Sequence, residues 1–170
     1  IAFGSKYLHR VVPIYSENFI VHCKNKDDLF LIILFDHLIH NVDRNHNLGN
    51  TLFQSNSDLI YIIDHERIFG SGNIWDKYTC ERGAKENFCI ESFQGDTLYG
   101  MINRNVNLRG QVSKAVEKIK DIKDSDFETM IKGIPEEWEC NYEDRKALLK
   151  YLKTRFSRVD ELANLIKSKL

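Results

Sequence analysis

The sequence predicts a mainly helical α+β fold with one short β-hairpin. Three observations carry that expectation. Apolar residues recur at helical spacing through the last third of the chain. Two short β-rich runs, Thr51–Gln54 and Leu59–Ile63, flank a polar turn. With 42% hydrophobic and 29% charged residues among 170, the composition is that of a packed globular chain, neither disordered nor membrane-spanning. This length suits a single domain over residues 1–170. The longest apolar runs, LFLIILF from Leu29 and LIYII from Leu59, are too short to cross a bilayer. A net charge of −1 argues against a broad electrostatic footprint for nucleic acid, so no direct nucleic-acid partner is expected.

Taken in order, the first 24 residues show no clean period, and Pro13 punctuates a region expected to be irregular with at most a short strand. Asn25 is placed to cap a helix whose first turn holds Asp27 and Asp28, where carboxylates suit the helix dipole. Residues Leu29 to Ile39 are apolar on nearly every face, the pattern of a buried helix, which should end between His40 and Val42. Ser55-Asn56-Ser57-Asp58 then suits a hairpin turn between the two β-rich runs. Beyond Asp64, the glycines Gly70, Gly72, Gly83, Gly95 and Gly100 predict a long loop with one or two short helices, one of them near Lys85 to Phe93. Val112, Ala115, Val116, Ile119 and Ile122 form an amphipathic stripe. Ser125 to Glu128 has the form of a capping box for a helix ending near Gly133-Ile134-Pro135. Asn141 should open the next helix, with Ala147, Leu148, Tyr151 and Leu152 on one face. Ser157 to Asp160 should cap the last, whose stripe is Val159, Leu162, Ala163, Leu165 and Ile166. Such stripes form core or, less often, a partner-binding face. Trp75, Tyr78 and Trp138 are expected at the core or its rim.

The chain opens IAFGSKYL, without an initiator Met and without an export signal, as in a fragment, a processed product or a chain whose start lies elsewhere. Cys23, Cys80, Cys89 and Cys140 form no CxxC pair, and free thiols in a reducing cytoplasm are expected.

Residues 41 to 66, NVDRNHNLGNTLFQSNSDLIYIIDHE, carry the chemistry. Asp43, Asn50 and Asp64 bring a carboxylate, an amide and a second carboxylate out of one loop and hairpin. Phosphoryl transfer uses that set: one carboxylate to orient a hydroxyl, an amide and a carboxylate to hold Mg²⁺ against phosphate oxygens. The plainer reading is that Asn and Asp gather in wet turns. Against it stands the position of Asp64, directly after Ile-Tyr-Ile-Ile, where a half-buried strand end must accommodate a charge. Two other chemistries compete with this one. Asp36, His37, His40, Asp43 and His46 give D-H-x-x-H-x-x-D, with His37 and His40 on one helix face as zinc ligands or as hydrogen-bonded helix residues. Cys23 follows His22, although neighbours in sequence rarely face each other.

The segment FDHLIHNVDRNHNLGNTLF followed by IYIIDHERIF resembles the HipA-like kinase family, bacterial relatives of the protein-kinase and phosphoinositide-kinase folds. The FGSKYL opening, Ile134-Pro135 followed by Trp138, and the two final helices resemble its C-terminal lobe. The resemblance implies a protein-kinase-like C-lobe and transfer of the γ-phosphoryl group of ATP to a Ser or Thr hydroxyl. It implies Asp43 as the catalytic Asp, Asn50 and Asp64 as the Mg²⁺ ligands, and His65 as the residue following that carboxylate at the nucleotide site. Arg44 falls at the basic position after the catalytic Asp, to counter phosphate charge or to pin the loop. Asn50 lies seven residues after Asp43 where the family usually has five; Asn47 is the rival ligand, and Gly49 eases the bend. The family's phosphate-covering Gly-rich loop and Lys-bearing strand have no counterpart here, since Gly70-Ser71-Gly72 follows Asp64: the N-lobe is cut away, lies on another chain as a partner, or is absent altogether, leaving a relic without transfer activity. ATP, Mg, a protein acceptor and an antitoxin-like partner complete the implied set. The alternative is a non-catalytic kinase-like binding module in a toxin–antitoxin or defence assembly.

Overall fold

The computed structural model describes residues 7–70 and 74–170. Residues 3–6 of the FGSKYL opening and Gly72 of the Gly70-Ser71-Gly72 motif lie outside the described residues. The fold is mainly helical, with a small three-stranded antiparallel sheet in the order β1–β2–β3, where β1 is Val11–Pro13, β2 Thr51–Gln54 and β3 Leu59–Ile62. Pro13 sits at the end of an edge strand, where its missing N–H costs the ladder nothing. Thr51 faces Ile62 and Gln54 faces Leu59 across the expected hairpin. Asp58, at φ 58°, closes the turn in the left-handed region that Asp tolerates better than most residues.

Helix α1 is Glu17–His22 and α2 is Leu29–Leu38, the latter buried on most faces as its composition predicts. Asn25 does not cap it. Its side chain instead pairs with the backbone of Ile60 on β3, Nδ2 donating to the carbonyl and Oδ1 accepting from the N–H, both at 2.9 Å. A single 3₁₀ turn, Lys26–Asp28, leads into α2.

The stretch after Asp64 departs most from expectation. Helix α3 is Lys77–Lys85, opened by a capping box of Asp76 and Thr79, and α4 is Leu98–Asn105, capped by Thr97. The helix expected near Lys85 to Phe93 is absent; that segment is irregular and buries Phe88 and Phe93 one at a time. Helix α5 is Leu108–Lys120, capped by Asn107 and so starting four residues before the apolar stripe. Helix α6 is Asp124–Lys132, and Ser125 is inside it; the Asp126 carboxylate accepts from Lys123 N at 2.8 Å, so the cap lies two residues earlier than Ser125–Glu128. Helix α7, Tyr142–Ser157, starts at its Asn141 cap as expected. Helix α8, Val159–Lys167, follows without a side-chain cap, because Ser157 ends α7 by bonding back to Thr154 O.

Helix α2 packs on α5 and α8, and the stripe of α8 is core at Val159, Leu162, Ala163 and Ile166, whereas Leu165 of the expected stripe is exposed. A second cluster joins α3 to α7 through Cys80, Ala84, Leu148 and Tyr151. Gly83 permits that contact: a Cβ there would sit 2.9 Å from the Tyr151 ring. Trp75 packs half-buried on Phe69, whereas Tyr78 and Trp138 are exposed, contrary to their assignment to core or rim. All four cysteines are free. Among the described residues, no helix is long and apolar enough to cross a membrane.

Candidate functional site

The loop that carries Asp43 begins where α2 ends. His40 N donates to His37 O and Asn41 N to Asp36 O, with His40 in the left-handed region at φ 53°. This is the Schellman ending of a helix, with His at a position that favours glycine. Capping then passes to the Asn41 side chain, whose Oδ1 accepts from Asp43 N at 3.0 Å and Arg44 N at 3.1 Å. The polypeptide is thereby fixed on both sides of Asp43.

Asp43 and Asn50 meet directly. Asp43 Oδ2 accepts from Asn50 Nδ2 at 2.6 Å and from Asn47 Nδ2 at 3.1 Å. A 3₁₀ turn, Leu48–Asn50, takes up the long Asp43–Asn50 spacing, with Asn47 capping it through Gly49 N. Asn47 is exposed and its oxygen is occupied by that cap. Asn50 is buried, and among the described residues its amide oxygen has no hydrogen-bond partner.

The hairpin brings Asp64 back beside Asn50. Ile63 N donates to Asn50 O at 3.0 Å, one step past the Thr51–Ile62 pair, so Asn50 and Asp64 leave adjacent strand ends. Asp64 is exposed, with φ 54°, and its Oδ1 accepts from Glu66 N. The strand end therefore does not bury this charge; it turns the carboxylate outward through a left-handed residue. Left-handed residues cluster here, at His40, Asp64 and Phe69, and such local strain persists where surrounding contacts hold it.

Arg44 points the other way. It is 0% exposed; its Nε bonds both oxygens of Asp36 at 3.1 and 3.0 Å, and its Nη1 donates to Asn50 O and Ile63 O, each at 2.7 Å. Of the two roles open to it, this geometry supports pinning: one guanidinium ties α2 to the strand ends that carry Asn50 and Asp64. Asp36 also accepts from Tyr99 Oη at 3.1 Å. Burial pushes the Asp36 carboxyl up to about 6, against the charge and hydrogen bonds of Arg44 and the hydroxyl of Tyr99. Asn45 supports the loop from below, its carbonyl and side-chain oxygen each accepting at 2.9 Å from the first N–H groups of α4, those of Leu98 and Tyr99.

His65 is half-buried, edge-on to Phe35 of α2 at 5.9 Å, and burial together with the Arg44 charge lowers its pKa. The zinc alternative loses its ligands. His37 Nδ1 is bonded to Ile33 O at 2.7 Å and Nε2 accepts from Glu91 N at 3.2 Å. Among the described residues, no three His, Cys, Asp or Glu gather into a metal site. His22 and Cys23 likewise part, bonding to Asn18 O and Ile20 O.

A model of the HipA-like kinases matches residues 1–164. The chain belongs to the HipA-like kinase family. No curated protein and no solved structure matches it. In this HipA-like kinase chain, Asp36, Asn41, Asn45, Arg67 and Tyr99 all touch the loop, yet sequence spacing did not single out any of them for that role. Asn41 gave a faint signal, as an Asn at a helix end. Asp36 and Tyr99 are 63 residues apart and meet only through tertiary packing.

Proposed function

We propose that the chain is the C-lobe of a protein-kinase-like phosphotransferase, one unit over residues 1–170, whose nucleotide-covering lobe comes from outside this stretch. It transfers the γ-phosphoryl group of ATP to a Ser or Thr hydroxyl on a protein acceptor. The observation that carries this reading is the 2.6 Å bond between Asp43 and Asn50, in a member of a kinase family, beside the strand end bearing Asp64. Asp43 orients the hydroxyl and takes its proton. Asn50 Oδ1 and the exposed Asp64 carboxylate fit Mg²⁺, which favours hard oxygen ligands and commonly takes one or two from protein, with phosphate and water completing its shell. The donor set here is two oxygens, one without a hydrogen-bond partner among the described residues and one on an exposed carboxylate. When bound, Mg²⁺ neutralises charge on the phosphates. Arg44 keeps the two ligand-bearing strand ends in register, and Asn47 steadies Asp43. An antitoxin-like partner is the regulatory context the family suggests.

Thermal melting of the full-length protein tests the site. ATP–Mg²⁺ at about 100 times its Kd should stabilise it by about 2.7 kcal/mol. Asn50→Ala and Asp64→Ala should lose the Mg²⁺-dependent part of that shift, and Asn47→Ala should keep it. Asp43→Asn should bind ATP–Mg²⁺ normally and transfer nothing. An unchanged shift in Asp64→Ala, or none in the wild type, overturns the assignment.

A further inference from the structure

Burial of Arg44 leaves the transfer site short of a cation. Between residues 41 and 70 the chain holds two Lys or Arg residues, Arg44 and Arg67. Arg44 is sealed from solvent, with Nε and Nη1 committed to Asp36 and to two carbonyls. Arg67 lies three residues past Asp64 with its side chain 56% exposed, and its Nη1 is 3.5 Å from Asp43 Oδ1. Its backbone is fixed to the loop, since its carbonyl accepts from Val42 N at 3.2 Å, so the guanidinium can swing from an anchored stem. The two oxygens of Asp43 thus divide: Oδ2 takes both asparagine amides, and Oδ1 faces Arg67.

Resting on the phosphotransfer reading above, we propose that Arg67 is a catalytic residue of this site, the cation that leaves Asp43 Oδ1 when the acceptor hydroxyl arrives and moves onto the phosphoryl group being transferred. In that step the bond between the γ-phosphorus and the bridging oxygen of ADP breaks, its electron pair staying with ADP. A bond forms from the acceptor oxygen to phosphorus, and the hydroxyl proton passes to Asp43 Oδ1. Charge on the phosphoryl oxygens is then met by a guanidinium whose fork matches them two at a time. The 3.5 Å contact is too long and too exposed to be a strong ion pair, so displacing it is easy.

ADP release from ATP–Mg²⁺ by the full-length protein, with water as acceptor, is the readout, alongside thermal melting. Arg67→Ala should melt like the wild type, keep its ATP–Mg²⁺ shift, and release ADP on the order of 100-fold more slowly. Added guanidinium ion should restore part of that rate, and Arg67→Lys should fall between. A rate within about twofold of wild type in Arg67→Ala, with Asp43→Asn inactive, overturns the role of Arg67 and leaves the phosphotransfer reading intact. A slow Arg67→Ala that guanidinium does not recover, or that has lost its ATP–Mg²⁺ shift, assigns Arg67 to structure and also overturns the proposal. No ADP release by the wild type, or release insensitive to Asp43→Asn, overturns the phosphotransfer reading and takes this one with it.

Discussion

Two buried guanidiniums bracket the C-terminal end of α2, and they are held in opposite ways. Arg44, 0% exposed, has a carboxylate partner in Asp36 and reaches on to two strand carbonyls. Arg155, on α7 and 2% exposed, forms no salt bridge to a carboxylate among the described residues. Its Nε and Nη2 donate to the carbonyls of Leu38 and His37 at the end of α2, its Nη1 to Gly83 O, and its plane lies 4.4 Å over the Phe88 ring. The last carbonyls of a helix carry its negative pole, so a cation there is met by dipoles and needs no counter-ion. An ion pair leaves a full charge behind when one member goes. A dipole clamp leaves only unbonded carbonyls. The loop bearing Asp43 hangs on the first arrangement, and the tie from α7 to the end of α2 and to Gly83 of α3 is the second.

The largest expected effect separates the two. Arg44→Gln strands the Asp36 carboxylate in the core and should cost about 3–5 kcal/mol, measured by urea unfolding. Adding Asp36→Asn should recover part of that loss, and strict additivity of the two changes would show that the pair is not coupled. Arg155→Gln should cost less, about 1–3 kcal/mol, because it leaves unbonded carbonyls and strands no ion-paired carboxylate among the described residues.

Acid should act on the two regions with opposite sign. Asp36 in the folded chain is raised to about 6 from 3.8, so the folded state keeps its proton longer than the unfolded one. That region's contribution is therefore greatest below pH 3.8 and is lost as pH rises through about 6. His37 and His40, beside Arg155, are lowered below 6.5, chiefly by burial. Their contribution is present above 6.5 and is lost as pH falls below it. Stability measured from pH 4 to 8 should lose its downward limb in Asp36→Asn, by up to about 3 kcal/mol across the window. A profile of Asp36→Asn that overlays the wild type removes Asp36 as its source. The smallest effect lies at the joint between the regions. His40→Gly relieves a left-handed residue and removes a buried Nδ1 that has no partner among the described residues. It should raise the melting point slightly, by the equivalent of up to about 1 kcal/mol.

The same contrast explains what the sequence disclosed. Elements whose signal is local were legible: the all-round apolar α2, the hairpin with its four-residue polar turn, and α7 with its Asn141 cap. The one or two short helices expected after Asp64 are there as α3 and α4, but their positions were hidden because their glycines suggested loops. Gly83 is there to admit Tyr151, and a Cβ on Gly100 would fall 2.3 Å from Gly95 O, so both mark close packing inside helices. At the site, Asp43, Asn50 and Asp64 were legible as residue types in sequence order, and the 3₁₀ turn reconciles their long spacing. Asp64 was expected at a half-buried strand end, because strand periodicity does not reveal that the chain turns left-handed there. The supports of the loop, from Asp36 to Tyr99 and from Asn45 to α4, are side-chain bonds across more than 50 residues, which no periodicity encodes.

Asn25, which fails to cap its helix, has a wider consequence. The outer edge of β3 is a row of backbone groups onto which another chain could extend the sheet, and exposed edges of this kind nucleate polymerisation. Asn25 mimics a peptide unit and fills that edge at Ile60, while Lys24 N bonds Asp58 O at the neighbouring corner. The hairpin whose ends carry Asn50 and Asp64 is thus closed on its flank by its own chain, which guards the protein against fibre growth along that edge.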